Sequence, residues 1–278
     1  MKLKKHLKRI LSVTVAAIIA IGAYFVYPII NQTIDYEYSL SANNGKEIHL
    51  AAHRGLSSIA PENTKEAIVK AGEAGYYAAE FDIKLTKDGR WILMHDKTVD
   101  RMTDGKGEVT EFAFEEIQKL KIDGGNGIKN YPYEIGISTF EEALETCEAY
   151  NMRAMIEIKG GAAEDMAGVL EIIESMNLKT KPLIIDFNSE RIAALRKLNS
   201  EIEIWYLTKK ISDETIEFAK EHGTALAFNH KKLANYKMLG KAQEEGVMLA
   251  AWTVDLLPAA DILLSLGVNR ITTNRILP

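Results

Sequence analysis

Several ionisable residues stand at spacings that a β-strand turns into a shared face. His53 and Arg54 precede Gly55, Glu80 and Asp82 are two apart in an apolar run, and His95 is followed by Asp96. Glu157 and Lys159 are again two apart, within Ala154-Met155-Ile156-Glu157-Ile158-Lys159. Successive strand side chains alternate sides, so each i, i+2 pair projects the same way. Bringing three carboxylates together costs several kcal/mol unless something positive sits among them, and a divalent cation meets that need. Glu80, Asp82 and Glu157 make an all-oxygen set, which suits Mg²⁺ or Ca²⁺ better than zinc. A purely ionic network with Arg54 and Lys159 is the alternative, and it leaves His53 and His95 without a purpose. Imidazole exchanges protons near neutral pH, so two histidines flanking the acids and cations read as a base and an acid on opposite sides of a reacting group. Arg54 can grip a phosphate bidentately, Lys159 can neutralise it as a point charge, and a metal can polarise a phosphoryl oxygen. The chemistry that follows is phosphodiester cleavage.

Nine short apolar or β-branched runs must position these groups: Ile48–His53, Tyr77–Leu85, Trp91–His95, Arg153–Lys159, Pro182–Phe187, Glu203–Leu207, Ala225–Asn229, Val247–Val254 and Arg270–Thr273. Helical spacing separates most of them, for example Ala67, Ile68 and Ala71 after Pro61-Glu62-Asn63-Thr64, which is the alternation of βα units around a parallel sheet. Only Thr86-Lys87-Asp88-Gly89-Arg90 divides the second run from the third, too little for a crossover helix, and Asp-Gly signals a hairpin. Folding about Asp88 and Gly89 pairs residues whose numbers sum to about 177 and sets His95 opposite Asp82. Setting the hairpin strand aside leaves eight parallel strands, and hence the α/β class: a (β/α)₈ TIM-type barrel with one extra hairpin strand. A doubly wound open sheet is the competing architecture. In a barrel the charged pairs lie at the C-terminal rim, where the active sites of that fold gather. The glycine-rich segment from about 98 to 137, with a helical patch near Phe114–Leu120, is an insertion. It leaves the strand carrying His95 and is placed to cover the site, unless it is decoration.

The 278 residues are 47% hydrophobic and 26% charged, a packed rather than disordered composition. The lone Cys147 excludes an internal disulfide and a thiolate zinc site. Net charge is −5, yet Lys2, Lys4, Lys5, Lys8 and Arg9 crowd the first nine residues, so the remainder is more acidic still. That excludes a nucleic-acid footprint. No Gly-Lys-Ser/Thr motif marks a nucleotide site, and no Gly-x-Ser-x-Gly elbow marks a serine hydrolase. Residues 10–30 carry no formal charge and are long enough to span a bilayer core. They read as a retained signal anchor rather than a cleaved signal peptide, because the segment runs into Tyr24, Phe25, Tyr27 and Pro28 without an Ala-x-Ala-like site. The basic residues 1–9 then stay in the cytoplasm. A polar linker at 31–47 leads to a barrel domain at 48–278 on the far side of the cell membrane.

Taken together, Ala52-His53-Arg54-Gly55, Pro61-Glu62-Asn63-Thr64, Glu80-Phe81-Asp82, Thr86-Lys87-Asp88-Gly89, His95-Asp96, Asp100-Arg101, Gly105-Lys106-Gly107, Glu157-Ile158-Lys159 and Trp252-Thr253-Val254 resemble the glycerophosphodiester phosphodiesterase family. The resemblance runs from about Ile48 to the C-terminus and is densest in its first half. It implies a TIM-type barrel, a divalent metal on Glu80, Asp82 and Glu157, acid–base roles for His53 and His95, and phosphate contacts from Arg54 and Lys159. The glycerophosphodiester or glycerophospholipid-derived substrate comes from the resemblance alone. Three departures stand out: Met102 in the usual Asp-Arg-Thr-Thr, Asp255 where Asn usually follows Trp-Thr-Val, and Asn274 where Asp usually follows Thr. Trp252 is placed to floor a glycerol subsite or simply to pack, and Glu62 to orient Arg54 or to favour a helix start. A related barrel phospholipase acting on lysophospholipid or wall polyglycerolphosphate, and a noncatalytic glycerophosphate-binding module, are the competing functions.

Overall fold

The computed structural model describes residues 47–127, 131–232 and 236–278. The expected anchor at 10–30 and nearly all of the linker at 31–47 lie outside the described residues. Among those that are described, no helix is long and apolar enough to cross a membrane.

All nine runs form strands, six of them shortened, two with the expected bounds and β6 longer by one residue: β1 (His49–Ala52), β2 (Ala78–Leu85), β3 (Trp91–Leu93), β4 (Arg153–Ile158), β5 (Leu183–Asp186), β6 (Glu203–Thr208), β7 (Ala225–Asn229), β8 (Leu249–Trp252) and β9 (Arg270–Thr273). The sheet order is β1-β9-β8-β7-β6-β5-β4-β2-β3, and a further β1–β2 pairing closes every strand except β3 into a parallel ring. The competing open sheet is thereby excluded. The helices are α1 (Lys65–Glu73), α2 (Phe114–Ile117), α3 (Phe140–Ala149), α4 (Met166–Ser175), α5 (Ser189–Leu198), α6 (Asp213–His222), α7 (Tyr236–Glu244) and α8 (Leu257–Ser265). Their starts are chemically marked. Thr64 accepts from the Ala67 N–H ahead of α1, Thr139 and Glu142 form a reciprocal capping box on α3, and Asn188 accepts from the Arg191 N–H on α5. Helix α1 buries Ala67, Ile68 and Ala71, the face expected from their spacing.

The barrel interior explains where the charges go. Ala51 on β1, Ala78 on β2, Met155 on β4, Leu183 and Ile185 on β5, Trp205 and Leu207 on β6, Ala225 and Ala227 on β7, and Ala250 on β8 form one buried cluster. With a side-chain period of two, the same faces continue rimward to His53, to Glu80 and Asp82, to Glu157 and Lys159, and to Trp252. The apolar layer therefore floors a layer of acids, cations and histidines, and its alanines leave open space above them.

The hairpin register differs by one residue from the expectation. Ile83 pairs with Leu93, Lys84 with Ile92 and Leu85 with Trp91, and the Met94 N–H donates to the Asp82 carbonyl at 3.0 Å. Met94, not His95, is thus opposite Asp82. The reason is the turn. Thr86 N–H donates to the Arg90 carbonyl at 2.9 Å, closing a three-residue loop of Lys87, Asp88 and Gly89. Gly89 at φ +79° supplies the left-handed residue that such a loop needs. His95 reaches the rim from a bend after β3, not from a ladder position.

The insertion is a folded satellite. Isolated bridges join Thr98 to Glu108, Thr103 to Ile122 and Lys121 to Gly136. Val99, Met102, Val109, Ile117 and Ile137 from it pack with Ile92 and Met94 into a separate core. The expected helical patch is the single turn α2.

Candidate active site

A cavity of about 240 Å³ opens at the C-terminal rim, lined on one side by His53, Arg54, Glu80, His95, Glu157 and Lys159 and on the other by apolar groups that include Phe187, Trp205, Leu207 and Trp252. Larger hollows elsewhere among the described residues hold at most one histidine and lie away from the carboxylate cluster. None of the described insertion residues lines this cavity. Val99, Met102, Val109, Ile117 and Ile137 of the insertion are engaged in its own core.

The carboxylates are held within β2 and β4, and the cations and histidines by the residues just beyond β1, β3 and β4. The β1–α1 loop turns sharply, with Arg54 at φ +57° and Gly55 at φ +70°. A Cβ on residue 55 would lie 2.5 Å from the Ala67 carbonyl carbon, so only glycine fits against α1. The left-handed Arg54 costs of order 1–3 kcal/mol, offset by hydrogen bonds: its N–H donates to Glu80 Oε2 at 2.8 Å, and its carbonyl accepts from the Asn63 N–H at 3.0 Å. Arg54 Nη1 donates to Glu62 Oε1 at 2.6 Å. Glu62 is fully buried and also accepts from Arg101 Nη2 at 2.7 Å and from the Asn126 N–H at 2.6 Å. Both last partners come from the insertion. That segment thus fixes Glu62, which in turn fixes Arg54, so Glu62 does more than favour a helix start.

Glu80, Asp82 and Glu157 each offer a carboxylate oxygen, all within 4.8 Å of one another, and all three residues are buried. At an effective dielectric of ~20, unit charges that close repel by about 3.5 kcal/mol per pair. Part of this is offset by cations. Lys159 Nζ donates to Glu157 Oε1 at 2.5 Å and lies 3.5 Å from Asp82 Oδ1, and Arg54 Nε lies 3.5 Å from Asp82 Oδ2. The offset is incomplete, because Arg54 is shared with Glu62. Burial first, and then the charge of Asp82, push both Glu80 and Glu157 up to about 8. Burial pushes Asp82 upward too, but Lys159 and Arg54 outweigh it and hold Asp82 below the usual carboxylate range. Glu80 Oε1 and Asp82 Oδ1 are buried without a hydrogen-bond partner. Two buried oxygens without a hydrogen bond, beside a third carboxylate, offer the oxygen donors that a hard divalent cation takes, so the residues fit a metal. The cations present do not complete the purely ionic alternative.

The two histidines border this cluster. His53 Nε2 lies 3.9 Å from Glu80 Oε2 and its Nδ1 meets Asn274 Oδ1 at 2.7 Å. His95 Nδ1 meets Asp96 Oδ1 at 2.8 Å, and Asp96 is clamped by Arg101 Nε at 2.6 Å. Burial lowers both histidines, with Arg54 adding to the effect at His53, while Asp82 and Asp96 oppose it at His95. Trp252 both packs and lines the cavity: its Nε1 donates to the Ala227 carbonyl at 2.8 Å and its ring meets Phe187 edge-on at 5.6 Å.

The structure thus gathers His53, Arg54, His95, Lys159 and Trp252 around the Glu80, Asp82 and Glu157 cluster, with Glu62 behind Arg54. It adds Asn63, whose side chain grips Asp82 twice, through Nδ2 to Oδ2 at 2.8 Å and through Oδ1 to its N–H at 2.9 Å. It also adds Arg101, Asp96 and Phe187. Phe187 was legible in principle, because it continues the Leu183, Ile185 face by two. Arg101 was not, since nothing local ties residue 101 to residue 62.

Residues 53–277 match the glycerophosphoryl diester phosphodiesterase family. A glycerophosphodiester phosphodiesterase of Caldanaerobacter subterraneus subsp. tengcongensis is 31% identical over 232 residues, covering 80% of this chain and 92% of that protein. Glycerophosphodiester phosphodiesterase 1 of Rattus norvegicus is 36% identical over 152 residues, 54% of this chain; the match spans 46% of the rat protein, so the chain covers under half the length of that relative. Among solved structures, an Oleispira antarctica phosphodiesterase in complex with the product sn-glycerol-3-phosphate superposes with a TM-score of 0.75 at 25% identity, covering 82% of this chain and 93% of that one. On the match over residues 53–277 and these likenesses, the chain belongs to the glycerophosphoryl diester phosphodiesterase family.

Proposed function

We propose that the protein is a metal-dependent phosphoric diester hydrolase that cleaves glycerophosphodiesters to glycerol phosphate and an alcohol. The observation that carries this reading is the set of three buried carboxylates with two orphaned oxygens, bordered in one cavity by His53, His95, Arg54 and Lys159. Glu80, Asp82 and Glu157 would hold Mg²⁺ or Ca²⁺. Such an ion, when bound, supplies a Lewis acid for a phosphoryl oxygen. Arg54, aimed by Glu62, and Lys159 bind the remaining phosphoryl oxygens and stabilise charge that builds on them. One histidine takes the proton of the attacking hydroxyl or water and the other protonates the departing alkoxide. The wall of Phe187, Trp205, Leu207 and Trp252 excludes water and receives the carbon part of the ester. The relative from Oleispira antarctica, solved with sn-glycerol-3-phosphate, supports a glycerol phosphate product. We further propose that residues 10–30 anchor the barrel, at 48–278, to the outer face of a cell membrane.

The test is hydrolysis of glycerophosphodiesters, lysophospholipid and polyglycerolphosphate by the full chain, with and without chelator, and product analysis. Glycerol phosphate release that chelator abolishes and Mg²⁺ or Ca²⁺ restores is expected. Ligand binding without turnover would replace this reading with the binding module.

A further inference from the structure

His53 is held on the side away from the carboxylates by groups from the far end of the chain. Its Nδ1 lies 2.7 Å from Asn274 Oδ1, and Ser57 Oγ donates to the same oxygen at 3.2 Å. Asn274 Nδ2 donates to Asp255 Oδ2 at 2.7 Å, and its backbone N–H donates to Asp255 Oδ1 at 2.8 Å. Thr273 Oγ1 adds a bond to Asp255 Oδ1 at 3.3 Å. A carboxylate only accepts, so Asp255 makes Asn274 turn its NH₂ group inward and its carbonyl oxygen toward His53. That oxygen also only accepts, so His53 Nδ1 must be the donor. The neutral ring is left with its lone pair on Nε2, on the side of Glu80.

From this geometry we propose that Asn274 and Asp255 are positioning residues that hold His53 in its Nδ1–H tautomer and so present Nε2 as a proton acceptor to the phosphodiester. The proposal rests on the phosphodiesterase reading above. It also gives a reason for the two departures near the C-terminus, which together exchange the family's usual Asn and Asp. Either order offers His53 an acceptor oxygen and keeps one amide–carboxylate bond behind it. The two orders differ in what they demand. A carboxylate beside the ring accepts whichever way it turns, as Asp96 does at His95. An amide offers an acceptor on one side and a donor on the other, and presents the correct side only if something orients it. In this chain Asp255 is therefore indispensable to the tautomer, although it never touches the ring.

The experiment uses the full chain labelled with ¹⁵N-histidine. Two-bond ¹H–¹⁵N correlation spectra, recorded where the rings are neutral, read the tautomer, and the His53 signals are identified by their loss in His53→Gln. The parent should show the Nδ1–H form. Asp255→Asn frees the Asn274 amide to invert, so the Nε2–H form should appear and kcat should fall about 10-fold or more, as for other losses of a histidine's orienting partner. KM should change by less than about threefold, because no substrate contact is removed. Adding Asn274→Asp to Asp255→Asn should restore both the Nδ1–H form and kcat to within about threefold of the parent, a rescue that a packing role would not produce. An Nε2–H ring in the parent, an unchanged tautomer and kcat in Asp255→Asn, or a double variant no better than the single one would each overturn the proposal. If Asp255→Asn does not fold, Asn274→Ala gives the same tautomer readout. Should the parent hydrolyse no diester at all, the phosphodiesterase reading fails, while the spectra still decide the tautomer.

Discussion

Binding of a divalent ion to the carboxylate cluster is expected to expel protons, in a number set by the burial of Glu80 and Glu157. Without an ion, burial and the neighbouring Asp82 charge hold both near 8, while Asp82 stays ionised. Both are therefore mostly protonated at pH 7, and an ion must displace between one and two protons from the pair. The logarithm of the apparent affinity should rise by between one and two per pH unit between about pH 5.5 and 7 and flatten above about 8, each unit of slope being ~1.4 kcal/mol. The sign for stability follows from the same shift. These groups sit higher folded than unfolded, so the stability their protonation contributes is complete below about pH 4.5 and is lost as pH rises through about 8. Bound metal removes that loss. Titration calorimetry at pH 7 in two buffers of different ionisation enthalpy counts the protons released per ion. Glu80→Gln should release about one fewer. A release below ~0.5 proton per ion, or an affinity that does not change between pH 6 and 8, would refute the view that burial and mutual repulsion keep two of the three acids protonated.

Replacing either His53 or His95 by Ala should lower kcat about 10²- to 10⁴-fold with the fold retained; turnover within a few-fold of the parent in both would end the acid–base scheme. Glu62→Ala leaves Arg54 and Arg101 each without one of their two carboxylate partners, and Arg54 without its only hydrogen-bonded one among the described residues. Urea denaturation should show a loss of about 3 kcal/mol, and under 1 would mean that water replaces the carboxylate. Gly55→Ala forces a Cβ to 2.5 Å from the α1 backbone at φ +70° and should cost more than ~2 kcal/mol by the same measurement. Phe187→Ala should raise KM for diesters with bulky apolar leaving groups more than for small ones. An equal change for both would remove the apolar wall from substrate choice.

The barrel was legible because its signal is local. Eight runs with helices between them, and charged residues two apart at their rimward ends, follow from a strand period that any five-residue window displays. That is why Glu80, Asp82, Glu157 and Lys159 could be grouped with His53, Arg54 and His95 before any contact was known. The hairpin register was out of reach. Asp88-Gly89 suits either a two-residue or a three-residue loop, and the choice depends on whether Thr86 and Arg90 bond each other across the turn. The grip of the insertion on Glu62 was equally hidden, because Arg101 and Asn126 reach it only once the segment has packed a core of its own.

The amino-acid sequence by itself determined the chemistry that could gather here: oxygen ligands, two imidazoles and two cations, with Glu80, Asp82 and Glu157 on the inward faces of their strands, since alternation is a property of neighbouring residues. Only the tertiary structure decided how those groups are held. Closure of the ring sets Asn274 against His53 across 221 positions, and the packing of the insertion sets Arg101 against Glu62 across 39. Contacts between distant residues depend on how the ends of the sheet meet, which no local window contains.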